Sequence, residues 1–207
     1  MRKYATIGAL AVTACLFGAA ATGCANNDSR GQEVRASAVS LRKTLTTTPA
    51  QVDSTMNALF QATSGDNNDR LTRYRDFKTK FSALKEDGKY IGEHAKRARA
   101  DSAKYFKEWA AEAVAANPSK QTEMSAVMEG RQVNYDTALS YLDGGRDSYK
   151  ALVADLTDIE KALDANLAVA NSAEIEKKVN TAKLHAVDLK SYSAVLSDRI
   201  DASLAKK

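Results

Sequence analysis

The sequence predicts an all-α fold: an elongated antiparallel three-helix coiled-coil bundle with a short N-terminal helical pair. Three observations predict it. Only 2 prolines and 10 glycines occur in 207 residues, too few breaks for a many-stranded β-protein. Aromatic residues make up 7% and evenly spread charged residues 27%, a mixture that favours helix without a thick central core. Beyond residue 76, core-type positions recur at alternating spacings of four and three over most of the remaining chain.

Residues 1–23 read as an export signal. Arg2 and Lys3 precede a stretch from Tyr4 to Ala21 that is apolar but too short and too rich in Ala and Gly for a membrane span. Ala21-Thr22-Gly23-Cys24 then resembles a bacterial lipobox, with Ala21 where Leu is usual. That resemblance implies that Cys24 is lipidated and becomes the first mature residue. The alternative is cleavage after Ala21, which would give a soluble periplasmic protein. By the sorting rule of diderm bacteria, Ala25 rather than Asp after the cysteine implies the outer membrane, with the protein facing the periplasm. Cys15 falls within the signal, so a mature chain would keep Cys24 alone and form no internal disulfide. Residues 24–31 form the expected tether, polar from Asn26 to Gly31.

Residues 32–63 are expected to form two short helices. Val34, Ala38, Leu41 and Leu45 lie at helical spacing, and Thr48-Pro49 reads as the cap and first-turn proline of a second helix running through Phe60. A loop is expected at Ser64–Asn68. Residues 69–205 then carry the three-helix bundle. Its first heptad run is Phe77, Phe81, Leu84, Gly88, Ile91, Ala95, Ala98, Ser102, Tyr105 and Trp109. The second extends from Met124 to Leu163, and the third from Ile175 to Ile200. A period of 3.5 held this long implies a left-handed supercoil. Asn117-Pro118-Ser119 and Ala170-Asn171-Ser172 mark the turns, with Ser119 and either Ser172 or Asn171 available as caps. Short connections make sequential helices antiparallel.

Folding the first run onto the second at Pro118 places Gly88 opposite Tyr149, Gly145 opposite Ile91 and Ser102 opposite Tyr135. Large side chains then face small ones, as close packing requires. Gly88 and Gly145 read as room for Tyr149 and Ile91, with a hinge or ligand groove as the functional alternative.

The sequence offers no catalytic constellation. Its two histidines, His94 and His185, fall at levels of the bundle roughly 20 Å apart, too distant to share a metal. Asp143-Gly144-Gly145-Arg146-Asp147 has glycines but no Lys-Ser/Thr, so it is not a phosphate loop. Without Arg2 and Lys3 the chain carries 28 basic and 26 acidic residues, a net +2, and the footprint of a nucleic-acid binder is missing. Lys96, Arg97 and Arg99 can touch phosphate head groups, although Glu93 and Asp101 flank them. Arg131 is the one charged residue at a heptad core position, level with Tyr105 and near Trp109, and marks a possible interaction end of the rod.

Asp76-Phe77, Ala103-Lys104-Tyr105-Phe106-Lys107-Glu108-Trp109, Arg131-Gln132-Val133-Asn134-Tyr135-Asp136 and Leu163-Asp164-Ala165-Asn166-Leu167 together resemble an uncharacterised bacterial family of exported, all-helical proteins, a domain of unknown function. The likeness spans residues 35–200 or so and rests on helix-packing patterns. It implies an all-helical fold and no established activity. Some members carry a DNA-repair ATPase label, against which stand the missing phosphate loop and the export signal.

The expected function is that of a lipid-anchored envelope module rather than an enzyme. It would be held to the membrane through Cys24 and contact an envelope protein through an end bearing Tyr105, Trp109 and Arg131, without cofactor, metal or nucleic acid. The alternative is a soluble periplasmic carrier that holds a lipid or other apolar molecule between its helices.

Overall fold

The computed structural model describes residues 29–64, 69–116 and 118–204, the side chain of Arg131 and those at the outermost helix ends excepted. The expected signal and most of the tether, Cys24 included, lie outside the described residues. Four long helices account for nearly all of it: α1 (Ser29–Ser64), α2 (Arg70–Ala115), α3 (Pro118–Ala165) and α4 (Ala173–Leu204). A short 3-10 turn, Leu167–Asn171, joins α3 to α4.

The all-α expectation holds, but the N-terminal part of it needs correction. Residues 32–63 form one helix that begins at Ser29, so the last three tether residues are helical and the expected break at Thr48-Pro49 is absent. The reason is visible in what α1 buries. Val34, Ala38, Leu41, Leu45, Thr48, Val52, Thr55, Leu59 and Ala62 are all buried, a 4-3 alternation that keeps its phase straight through the proline. Pro49 cannot donate to the carbonyl of Leu45. Nearby hydroxyls tighten the same turns, with Thr48 Oγ1 donating to the Thr44 carbonyl at 3.1 Å and Thr44 Oγ1 to that of Leu41 at 2.7 Å. Packing along the whole stripe outweighs one lost hydrogen bond.

With α1 running the length of the rod, the bundle has four helices instead of three. α1 packs on α2 and α4, and α3 on α2 and α4. Cross-helix bonds show that every neighbour runs antiparallel. Gln51 of α1 reaches the Lys80 carbonyl of α2 (3.3 Å), while Lys104 of α2 pairs with Glu33 of α1 (3.3 Å). The Tyr74 and Tyr135 hydroxyls join α2 to α3 at the carbonyls of Glu160 and Arg99 (3.0 and 3.2 Å). His185 of α4 bonds Asp155 of α3 at 2.7 Å, and Lys190 bonds Asp53 of α1 at 2.7 Å.

Ser172 caps α4, its hydroxyl accepting from the Ile175 amide at 3.3 Å, with Glu174 and Glu176 complementing the helix dipole. Asn171 instead accepts from Arg70 (2.9 Å). Ser119 is not the N-cap at the other turn, because it lies inside α3, whose first helical position is Pro118.

The core divides into two clusters along the rod. The larger surrounds Leu59, Phe77, Phe81, Leu152, Leu156, Ile159 and Ile175; the smaller comprises Ala38, Leu41, Leu45, Ala98, Leu196 and Ile200. At the end of the smaller cluster, α4 stops near the level where Arg42 pairs with Asp201. Past it α2 and α3 continue, first with the N-terminal turns of α1 beside α2, where Ser37 bonds Asp101, and then at the tip as a two-helix hairpin. α1 begins at this same end, as the Glu33–Lys104 pair shows.

Candidate functional site

Two features stand apart from uniform helix packing: the hairpin and a slot at the boundary between the two core clusters.

The hairpin is rooted in aromatic contacts. Tyr105 lies 5.5 Å from Trp109 and 5.7 Å from Phe106, whose ring is 5.4 Å from that of Tyr135, centroid to centroid. Trp109 and Tyr105 are half-buried, as expected of residues at the end of a core stripe. Arg131, the third member of the expected interaction end, has its side chain outside the described residues. On the same two helices Val114, Val127 and Val133 are exposed, Val114 most of all at 75%. Phe106 belongs to this cluster although it lies off the expected heptad. The 4-3 alternation passes through Tyr105, and Phe106 would need two successive spacings of four, Ala98 to Ser102 to Phe106, so a strict heptad passes over it.

The slot arises where glycines meet tyrosines. Gly88 faces Tyr149 as the antiparallel register predicts, so closely that a Cβ on Gly88 would overlap the phenol ring. The Tyr149 hydroxyl donates toward the carbonyls of Leu84 and Lys85 at 3.4 and 3.3 Å, and burial pushes its pKa up. Gly145 departs from expectation. Its nearest neighbour is the Cβ of Tyr192 on α4, 3.4 Å from where its own Cβ would be, and Gly144 makes room for the Tyr192 ring. Ile91 does not fill the space beside Gly145. Both instead line a cavity of about 310 Å³.

The floor of this cavity is apolar and comes from the far helices: Leu45 of α1, and Leu189 and Leu196 of α4, all buried. Its walls are Gly88, Ile91, Ala95, Leu142, Tyr149 and Tyr192. Gly92 and Lys96 of α2 and Arg146 of α3 are its exposed lining residues, so the mouth opens between α2 and α3. A Cβ built on Gly92 meets nothing within 4 Å. Arg99, also lining the cavity, bonds Asp143 at 2.5 Å, and Arg146 approaches the same carboxylate at 3.3 Å. The hydrogen bond from Arg99 holds the Asp143 carboxyl below its usual range.

Sequence reasoning identified Gly88, Gly145 and Tyr149 but missed Gly92, Gly144, Tyr141 and Tyr192. Tyr141 and Tyr192 each precede a heptad core residue, and nothing in the spacing says that their rings meet edge-on at 6.3 Å beneath Arg199. The cluster Lys96, Arg97 and Arg99 is split by the helix, with Lys96 and Arg99 at the slot and Arg97 outside its lining. His94 and His185 remain apart, and His185 is half-buried against Asp155 rather than solvated. Among the described residues, no three His, Cys, Asp or Glu side chains converge as metal ligands, and no helix is long and apolar enough to cross a membrane.

No protein-family model matches the chain, and neither a curated protein nor a solved structure is significantly similar to it.

Proposed function

We propose that this chain is a lipid-anchored envelope protein, attached through Cys24 to the outer membrane on its periplasmic side, and that it acts as a binding or structural module rather than an enzyme. The four heptad stripes would wind the rod into a left-handed supercoil. The observation that carries the reading is the geometry at one end. α1 starts beside the protruding α2–α3 hairpin, whose exposed valines and half-buried Trp109 leave apolar surface uncovered. A tether from Cys24 to Ser29 would span at most about 15–20 Å. The hairpin would therefore lie near the membrane, and its envelope partner would be membrane-proximal rather than at the far end of the rod. The resemblance to an exported helical family fits this reading and adds no activity to it.

The test combines metabolic palmitate labelling of Cys24 with photocrosslinking from position 109, using Lys150 as the mid-rod control. Labelling that is lost in Cys24→Ser, with one envelope protein captured from position 109 alone, is the expected result. Unlabelled protein in the soluble periplasm, or equal capture from both positions, would overturn it.

The cavity between α2 and α3 favours a second reading, in which the rod carries an apolar ligand. Its 310 Å³ falls at the lower end of the range typical of small-molecule sites.

A further inference from the structure

We infer that the slot between α2 and α3 binds a single-chain amphiphile with an anionic head, the chain lying on Leu45, Leu189 and Leu196 and the head held at the mouth by Lys96 and Arg146. The inference deepens the carrier reading and does not depend on the anchor.

The size of the cavity limits the tail. Engineered cavities of about 150 Å³ hold benzene and remain dry, so a 310 Å³ space suits one acyl chain or two fused rings but not a two-chain lipid. Its floor and most of its walls are aliphatic or aromatic carbon, which disfavours a polar occupant.

The charges at the mouth select the head. Lys96, Arg99 and Arg146 line the slot, and the carboxylates bonded to them are Asp143 and Asp147. Three cations against two anions leave an excess of one positive charge. Among the described residues Lys96 has no carboxylate partner, although Glu93 lies one turn away on the same helix. An ammonium beside an apolar opening complements a carboxylate or phosphate, repels a cationic head and gives a neutral alcohol no advantage. Arg146 can turn from Asp147 and Asp143, paired at 3.2 and 3.3 Å on the exposed surface, at little cost. Gly92 lines the exposed opening and a Cβ there would meet nothing within 4 Å, so a larger residue at this position is the means to obstruct it.

The test is calorimetric titration of the intact protein with decanoate, decanol and decylamine. Decanoate should bind one to one and at least about tenfold more tightly than decylamine, a difference of 1.4 kcal/mol. Gly92→Leu should abolish binding of all three with an unchanged helical spectrum. Lys96→Gln with Arg146→Gln should weaken decanoate about tenfold and leave decanol as it was. Equal binding of the three probes would overturn the assignment of the head while leaving an apolar carrier intact. Binding that survives Gly92→Leu would place the chain elsewhere. Failure of every probe to bind would remove both the inference and the carrier reading, with palmitate labelling of Cys24 still deciding the anchored one.

Discussion

Gly88 and Gly92 sit one turn apart on α2 and serve opposite purposes. Gly88 has the Tyr149 ring pressed against its backbone, whereas Gly92 faces open space. Alanine removes the entropic cost of a helical glycine at both positions, worth about 1 kcal/mol. At Gly88 it must also displace a ring that is bonded to Leu84 and Lys85, and overpacking of that kind costs about 1–3 kcal/mol. Denaturant unfolding should therefore show Gly92→Ala stabilised by about 1 kcal/mol and Gly88→Ala destabilised by up to about 2 kcal/mol. Stabilisation of both would mean that Tyr149 is free to move. Titration adds a second prediction at this scale. Burial raises the phenols of Tyr135 and Tyr149, so the stability they contribute is complete below about pH 10 and is lost as pH rises through the raised folded values. The Asp143 carboxyl is depressed by its bond from Arg99, so its contribution is present above about pH 4 and is lost as pH falls below that. Thermal melts should form a plateau between these limits. Tyr149→Phe should soften the alkaline edge and Asp143→Asn the acid one; unaltered edges would show that neither group is linked to folding.

At the scale of the element, α1 is the clearest conflict between local and tertiary preference. A proline in a helix interior costs about 3 kcal/mol, and Pro49 stands near the middle of thirty-six residues. The helix persists because its buried stripe runs on both sides, from Val34 to Thr48 and from Val52 to Ala62, and a break would remove one half from its partners. Pro49→Ala should raise stability by up to about 3 kcal/mol without changing helical content. A fall in stability would mean that the proline sets a bend on which the packing on α2 and α4 depends. The two-helix hairpin presents the reverse case. α2 and α3 extend past the end of α4 with less burial per turn, so this part depends on its neighbours least and is the part most exposed for contact.

Across the whole molecule, the slot separates two cores of unequal size. Leu156 is fully buried within the larger cluster, where truncation should cost about 2–5 kcal/mol. Leu142 occupies an equivalent heptad position but borders the cavity and is only half-buried. Leu142→Ala should cost well under half as much, since the wall it leaves is already open. Equal losses measured by chemical denaturation would show that the slot closes in solution. An unfilled layer in an otherwise continuous seam is stability forgone, and it lies where the mouth is most basic.

Much of this arrangement was legible in the amino-acid order. The scarcity of proline, the even charge and three unbroken heptads determined an all-helical rod with antiparallel neighbours, and the register alone placed Gly88 against Tyr149. Periodicity carries such information because the side chains of a helix return to the same face every seven residues. Tertiary structure decided the rest. Local propensity at Thr48-Pro49 favours a break, and only burial along the full stripe makes α1 the fourth helix. Periodicity names the face a residue occupies but not whether the opposing side chain is long enough to reach it. That is why Gly145 and Ile91, correctly placed on facing helices, border a cavity instead of filling it.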